Sequence, residues 1–202
     1  MPRGWQSGQG SASALNKNES RRVTAWYPDP ANPGRASVSV LVTNVAADFT
    51  TLGSFGTGTV PFKCRCQRCI GWRPSSIHGR VVPAASAFGE TLVNGLDRSY
   101  LRRQAWGRKP EDVQEARLVE AREQDGGDES AMYRIEYLLR RPGQEETRIW
   151  ELVALRFDGT FNRLYTVTAQ CLESERSIFE GAIADVLGSF RAPRSVAGLA
   201  MR

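Results

Sequence analysis

Residues 133–170, YRIEYLLRRPGQEETRIWELVALRFDGTFNRLYTVTAQ, decide the fold. Tyr133, Ile135, Tyr137 and Leu139 alternate with Arg134, Glu136, Leu138 and Arg140, the two-residue period of a half-buried strand. Arg141-Pro142-Gly143 turns the chain, and residues 148–157 form a second strand carrying Ile149, Trp150, Leu152, Val153 and Leu155. Asp158-Gly159 is a hairpin signal, and residues 164–170 supply the third strand of a meander. After Glu173 the period becomes helical: Ile178, Phe179, Ala182, Ile183, Val186, Leu187 and Phe190 form one stripe. Gly188 and Pro193 mark its end.

Working outward, residues 22–27 and 37–43 flank a Pro/Gly-rich turn and read as an antiparallel pair. Ser86 is placed to cap a helix with an apolar face of Phe88, Leu92, Val93 and Leu96. Tyr100 and Trp106 are expected anchors of the polar stretch that follows. Residues 111–123 favour a helix by propensity alone. Residues 1–20 are rich in Gly, Ser, Gln and Asn without an apolar period, and read as a flexible leader. Residues 21–192 form a single domain, and 193–202 a tail. The order of elements implies an α+β fold, a largely antiparallel sheet with helices packed on it.

The 202-residue chain is 41% hydrophobic and 24% charged, a balance that excludes a wholly disordered chain. No run approaches the roughly 20 apolar residues of a membrane-spanning helix. The net charge of +5 sits in one place. Residues 57–86 hold Lys63, Arg65, Arg68, Arg73 and Arg80 and no acidic residue, while the remainder carries 22 basic and 22 acidic residues. A general nucleic-acid binder would spread its cations over a binding face, so that class is set aside.

These segments resemble the PsbP domain. Leu164 to Gln170 followed by a helix ending Gly188-Ser189-Phe190 is similar to its C-terminal signature. Tyr133 to Tyr137, Ser37 to Val40, and Asp48-Phe49-Thr50 through Gly53-Ser54-Phe55-Gly56 match its earlier strands and loop, so the likeness covers residues 18–56 and 87–192. It implies an α/β/α sandwich with a central antiparallel sheet, in which residues 113–122 are a strand, and we follow it over propensity there. It also implies a non-catalytic chloroplast protein of the thylakoid lumen, an extrinsic membrane component associated with photosystem II, the oxygen-evolving complex or its assembly factors, with a link to calcium. The alternative reading is a small-molecule (metabolite) binding module in the chloroplast, using space between sheet and helix. A factor that binds the GTPase Ran shares the fold and is a third reading.

Against that pattern, residues 57–86 stand as an insertion read as unstructured; its end codons are compatible with a translated intron. It holds Cys64, Cys66, Cys69 and His78, four soft ligands whose spacing fits no familiar zinc module. Gly53, Gly56 and Gly58 lack the Gly-Lys-Ser/Thr ending of a phosphate loop and read as a turn. Glu136 and Glu151 are the carboxylates considered for acid–base work, with Arg134, Arg140 and Arg148 nearby, and are expected instead to form cross-strand ion pairs on a solvated face. Asp48, Asp97, Asp125 and Asp128 form no loop of repeated oxygen ligands and are assigned no calcium. Trp26, Trp150, Tyr133, Tyr137, Tyr165 and Phe179 are expected in the core.

Overall fold

Among the described residues seven strands form one antiparallel sheet: β1 (Gln6–Ser13), β2 (Ser20–Tyr27), β3 (Ala36–Val45), β4 (Glu115–Asp125), β5 (Ala131–Arg140), β6 (Thr147–Phe157) and β7 (Asn162–Leu172). Among the described residues two α-helices accompany them, α1 (Ala84–Leu96) and α2 (Arg176–Ser189), the second entered through a 3-10 turn at Glu173–Glu175. The computed structural model describes residues 4–13, 20–29, 31–46, 52, 84–101, 113–125 and 131–193. The cysteine–histidine cluster, the three glycines 53, 56 and 58, Asp48, Trp106, Asp128 and most of the tail lie outside the described residues.

The strand order is β1-β2-β3-β7-β6-β5-β4. From β3 the chain passes through α1 to the far edge at β4, then returns by three successive antiparallel pairings until β7 meets β3. The closing pair runs over ten positions, from Ala36 opposite Cys171 to Val45 opposite Asn162.

Side chains alternate across the sheet, so each strand serves two cores. One face carries Val38, Trp150, Leu152, Val167 and Ala169 against Ile183, Val186 and Leu187 of α2. The opposite face carries Tyr133, Ile135, Tyr137, Ile149 and Val153 against Ala85, Phe88, Leu92 and Val93 of α1. The architecture is therefore the α/β/α sandwich expected, and of the aromatics Trp150, Tyr133 and Tyr137 are buried while Trp26, Tyr165 and Phe179 pack at the edges of the cores. Because both faces are covered, β5 buries Met132 and Leu138 as well as its alternating set, so it is not half-buried.

Several expectations are corrected. Glu115–Asp125 forms the strand that the resemblance implied, against the helix favoured by propensity, since Ala116, Leu118 and Ala121 meet α1 while the intervening charges face outward. The helix propensity of the segment yields to that packing. A bulge between Leu118 and Glu120 leaves Val119 46% exposed. Helix α1 starts at Ala84, two residues before the expected cap; Ser86 lies inside it and its hydroxyl faces the Ala121 carbonyl at 3.5 Å. α1 approaches β4 closely at Gly89 and buries Ala85 and Ala87 as well, and the apolar period of large residues does not reveal those small buried positions. Tyr100 and Ile178 are exposed and anchor nothing among the described residues.

The segment read as a leader is in part a strand. Gln6–Ser13 pairs with Ser20–Tyr27 in unbroken register, and Trp5 packs against the α2-face core. Ladder hydrogen bonds need no apolar side chains, which is why a Gly/Ser/Gln segment without hydrophobic period can be sheet.

Candidate functional site

Three chain segments converge at one end of the sheet because the strands are antiparallel. The β2–β3 turn, the β5–β6 turn and the end of β7 meet there, since Ala36 pairs with Cys171 and Thr147 with Leu172. Between the two turns lies a recess of about 510 Å³, open to solvent, walled by Ala31 to Arg35 and by Arg141, Gln144 and Glu145, with Thr147, Gln170 and Leu172 beneath. Its walls are tied to its floor by main-chain bonds: Leu172 N–H donates to the Arg35 carbonyl at 2.9 Å and Glu173 N–H to the Glu146 carbonyl at 2.9 Å.

Each wall is a braced turn. In the first, the Asp29 carboxylate accepts from Ala31 N–H (2.9 Å) and from the Asn32 amide (2.8 Å), an arrangement that holds the Asp29 carboxyl below the usual carboxylate range. The Arg35 guanidinium grips Glu175 through Nε and Nη2, the shortest bond being 2.6 Å. In the second, Gln144 N–H donates to the Arg141 carbonyl at 3.1 Å, and Gly143 takes φ +67°, the left-handed backbone that glycine accepts without strain. The recess thus offers the Arg141 guanidinium, which makes no ion pair among the described residues, the Gln144 and Gln170 amides and the Glu145 carboxylate. It is a polar surface fixed by short turns.

A second recess of about 300 Å³ lies between the end of α1 and β4–β5, lined by Asp97, Ser99, Glu115, Arg117, Leu138 and Glu146. Two of its three carboxylates, Asp97 and Glu115, are engaged within the protein. Asp97 accepts from Ser99 N–H (3.2 Å), Ser99 Oγ (2.6 Å) and Ala116 N–H (3.3 Å), and Glu115 is bonded by Arg140. Among the described residues no three His, Cys, Asp or Glu side chains gather to hold a metal ion. The described residues therefore do not fit the calcium that the family resemblance implies.

The sequence profile of the family described as PsbP matches residues 80–192. The chain belongs to the PsbP family. It is also 30% identical over 191 residues to PsbP domain-containing protein 3, chloroplastic, of Arabidopsis thaliana, a match covering 95% of this chain and 58% of that protein. The chain therefore spans less than two thirds of that relative's length. Within the PsbP match lie α1, β4 to β7 and α2, with the Arg141–Thr147 wall and the floor of the larger recess; the Ala31–Arg35 wall lies before it.

Set on the PsbP sheet, Glu136 and Glu151 point to opposite faces: Glu136 pairs with Trp150 on the α2 side, Glu151 with Ile135 on the α1 side. They cannot act on one substrate atom. Nor is either on a solvated face, as the sequence suggested. Glu136 binds Arg148 with side-chain exposures of 13% and 9%. Glu151 accepts from the Tyr137 hydroxyl at 2.9 Å, between Ile149 and Val153 along the strand. Of the neighbouring arginines, Arg140 meets Glu115, while Arg134 lies opposite Arg122. Cys171, the cysteine among the described residues, is buried beside Arg148, and burial pushes its thiol up to about 11, so it remains protonated and weakly nucleophilic.

Burial raises the Glu151 carboxyl above its ordinary value, the Tyr137 bond opposing only in part. A carboxyl raised in the folded state binds its proton more tightly there, so its contribution to stability is greatest in acid and is lost as pH rises through the shifted range. Glu173 and Glu180 act in the opposite sense, being held low by Arg148 and Arg176. The comparison of wild type with Glu151→Gln isolates the first effect. The variant is expected to match wild type below the carboxylate range and to exceed it in stability at neutral pH, measured by urea unfolding across pH. A pH-independent difference would show that Glu151 ionises as freely in the fold as in the unfolded chain.

Proposed function

We propose that this PsbP-family chain is a non-catalytic accessory protein of the chloroplast thylakoid lumen, peripheral to the membrane, that docks on photosystem II or its assembly factors. The observation that carries this reading is the braced polar recess at the sheet end, presented by a protein of this family. Its two walls are short turns fastened to the floor, so a partner meets a preformed surface at little ordering cost. No helix among the described residues is long and apolar enough to cross a membrane.

The test is fractionation of thylakoid complexes carrying the tagged chain, with Arg141→Glu as the recess variant. Arg141 is exposed, so the fold should tolerate the change. Wild type is expected to co-migrate with the complexes, and the variant to lose most of its bound fraction, about tenfold for a single rim charge turned repulsive. Recovery of wild type wholly as free protein would overturn the reading.

A second reading, the binding of a small chloroplast metabolite, is favoured by the recess volume, which falls in the range of ligand pockets. It differs from the sequence expectation in place, since α1 sits too close to the sheet at Gly89 to leave room there. Thermal-shift screening of metabolites distinguishes it: a ligand that stabilises wild type but not Arg141→Glu would support it.

A further inference from the structure

On the α2 face of the sheet, β4 and β5 set two arginines directly opposite each other, Arg122 and Arg134. Like charges so placed repel, and the sheet gains nothing from the arrangement. The carboxylates of the neighbouring rows do not relieve it. Glu136 is bonded by Arg148 and Glu115 by Arg140, while Glu120 stands 3.7 Å from the Arg122 guanidinium, beyond hydrogen-bond length. Arg134 forms no ion pair among the described residues. Its inner neighbours are apolar, since Leu152 lies opposite it on β6 and Met132 two residues before it, both buried. Its Nε is buried too, and meets no acceptor among the described residues. A buried donor in that state costs free energy, so native folds rarely contain one.

We propose that Arg122 and Arg134 form an oxyanion site that takes a phosphate group between the two guanidiniums. The class of ligand follows from the donors. A guanidinium presents a planar fork of N–H groups that matches phosphate oxygens, and a phosphate between two such forks turns their repulsion into two ion pairs. It also supplies the acceptor that Arg134 Nε lacks. Gln124, one row further along the same face of β4, adds an amide donor. Access is open, because Arg122 stands on the edge strand with 52% of its side chain in solvent. The site shares no residue with the recess at the sheet end. The phosphate is carried either by a soluble ester or by a lipid headgroup, and the same guanidinium chemistry serves both.

The test is a titration of the nitrogen-15-labelled full chain with inorganic phosphate, and in parallel with sodium chloride of equal ionic strength, read at the arginine Nε–H resonances. Phosphate is expected to move the Arg134 resonance along a saturating curve, and chloride to leave it in place. Arg122→Gln is expected to weaken phosphate binding about tenfold, as loss of one charge-assisted contact should. Without phosphate the same variant should resist urea at least as well as wild type, because it removes the repulsion. Glu120→Gln should tighten binding by removing the one nearby carboxylate that no arginine bonds. Flotation with vesicles names the source. Retention on vesicles containing phosphatidylglycerol but not on neutral ones, lost in Arg122→Gln, assigns a lipid headgroup; phosphate binding without retention assigns a soluble ester. An Arg134 resonance that answers phosphate no more than chloride would overturn the proposal, and so would a phosphate response that Arg122→Gln leaves unchanged.

Discussion

Replacement of Gly89 by alanine is expected to destabilise the protein although it removes a glycine from the middle of a helix. In an exposed helix that change gains about 1 kcal/mol. Here α1 approaches β4 so closely that a Cβ at residue 89 would lie 2.8 Å from the Ala121 Cβ and 3.2 Å from Leu118 Cδ1, with Ile135 Cγ2 at 3.5 Å. The first of these is attached directly to the backbone of a paired strand and cannot swing aside. Overpacking of this kind costs about 1–3 kcal/mol, enough to outweigh the propensity gain. Gly89→Leu should cost more, since no rotamer avoids the sheet. The expected signature is a lower urea midpoint with unchanged slope. The double variant Gly89→Ala, Ala121→Gly tests the cause: relief of the clash should make its loss smaller than the sum of the single losses by more than about 0.5 kcal/mol. An alanine variant as stable as wild type would mean that α1 can shift outward freely, and the close contact would not be what positions it.

The same contact marks a boundary of what the sequence discloses. The meander from β5 to β7 and α2 were legible because large apolar residues recur with periods of two and near four, and hairpin signals separate them. Gly89 was not, because a glycine in a helix announces nothing about what approaches it. The opposed faces of Glu136 and Glu151 were hidden for another reason. β6 is buried along nearly its whole length on both faces, so its alternation carries no phase from which to assign Glu151 a side. The recess residues Arg35, Arg141 and Gln170 were likewise missed as a group. Both turns were readable, yet their meeting at one end depends on β7 returning to pair with β3, a long-range choice that no local signal encodes. For β1 the obstacle was composition, since main-chain pairing leaves no trace in side-chain hydropathy.

Arg148→Ala is expected to produce the other large loss, and to do so in a pH-dependent way. The guanidinium is almost wholly buried on the α2 face and holds two carboxylates. Glu136 on β5 receives Nη1, and Glu173 receives Nε at 2.6 Å and Nη2 at 2.7 Å. It thereby ties the start of β6 both to β5 and to the turn through which β7 enters α2. Truncation removes the cation bonded to both carboxylates and leaves Glu173 only the weaker pull of Arg176 and Arg117. Breaking a buried pair costs about 3–5 kcal/mol, and a value near the lower end is expected because Glu173 keeps 31% of its side chain in solvent. Sign follows from the partner. Arg148 holds the Glu173 carboxyl below its ordinary value, so the stability it confers is present above the carboxylate range and is lost as pH falls through the depressed value. The deficit of Arg148→Ala should therefore be widest at neutral pH and shrink in acid. Glu173→Gln in the same background should recover part of the loss at neutral pH and none in acid. Because Glu173 N–H also bonds the Glu146 carbonyl beside the larger recess, Arg148→Ala is also expected to weaken the thylakoid docking proposed above, at temperatures where the variant remains folded. A deficit that does not change with pH would show that Arg148 acts through the packing of its alkyl stem alone, and would separate the recess from the ion cluster beneath it.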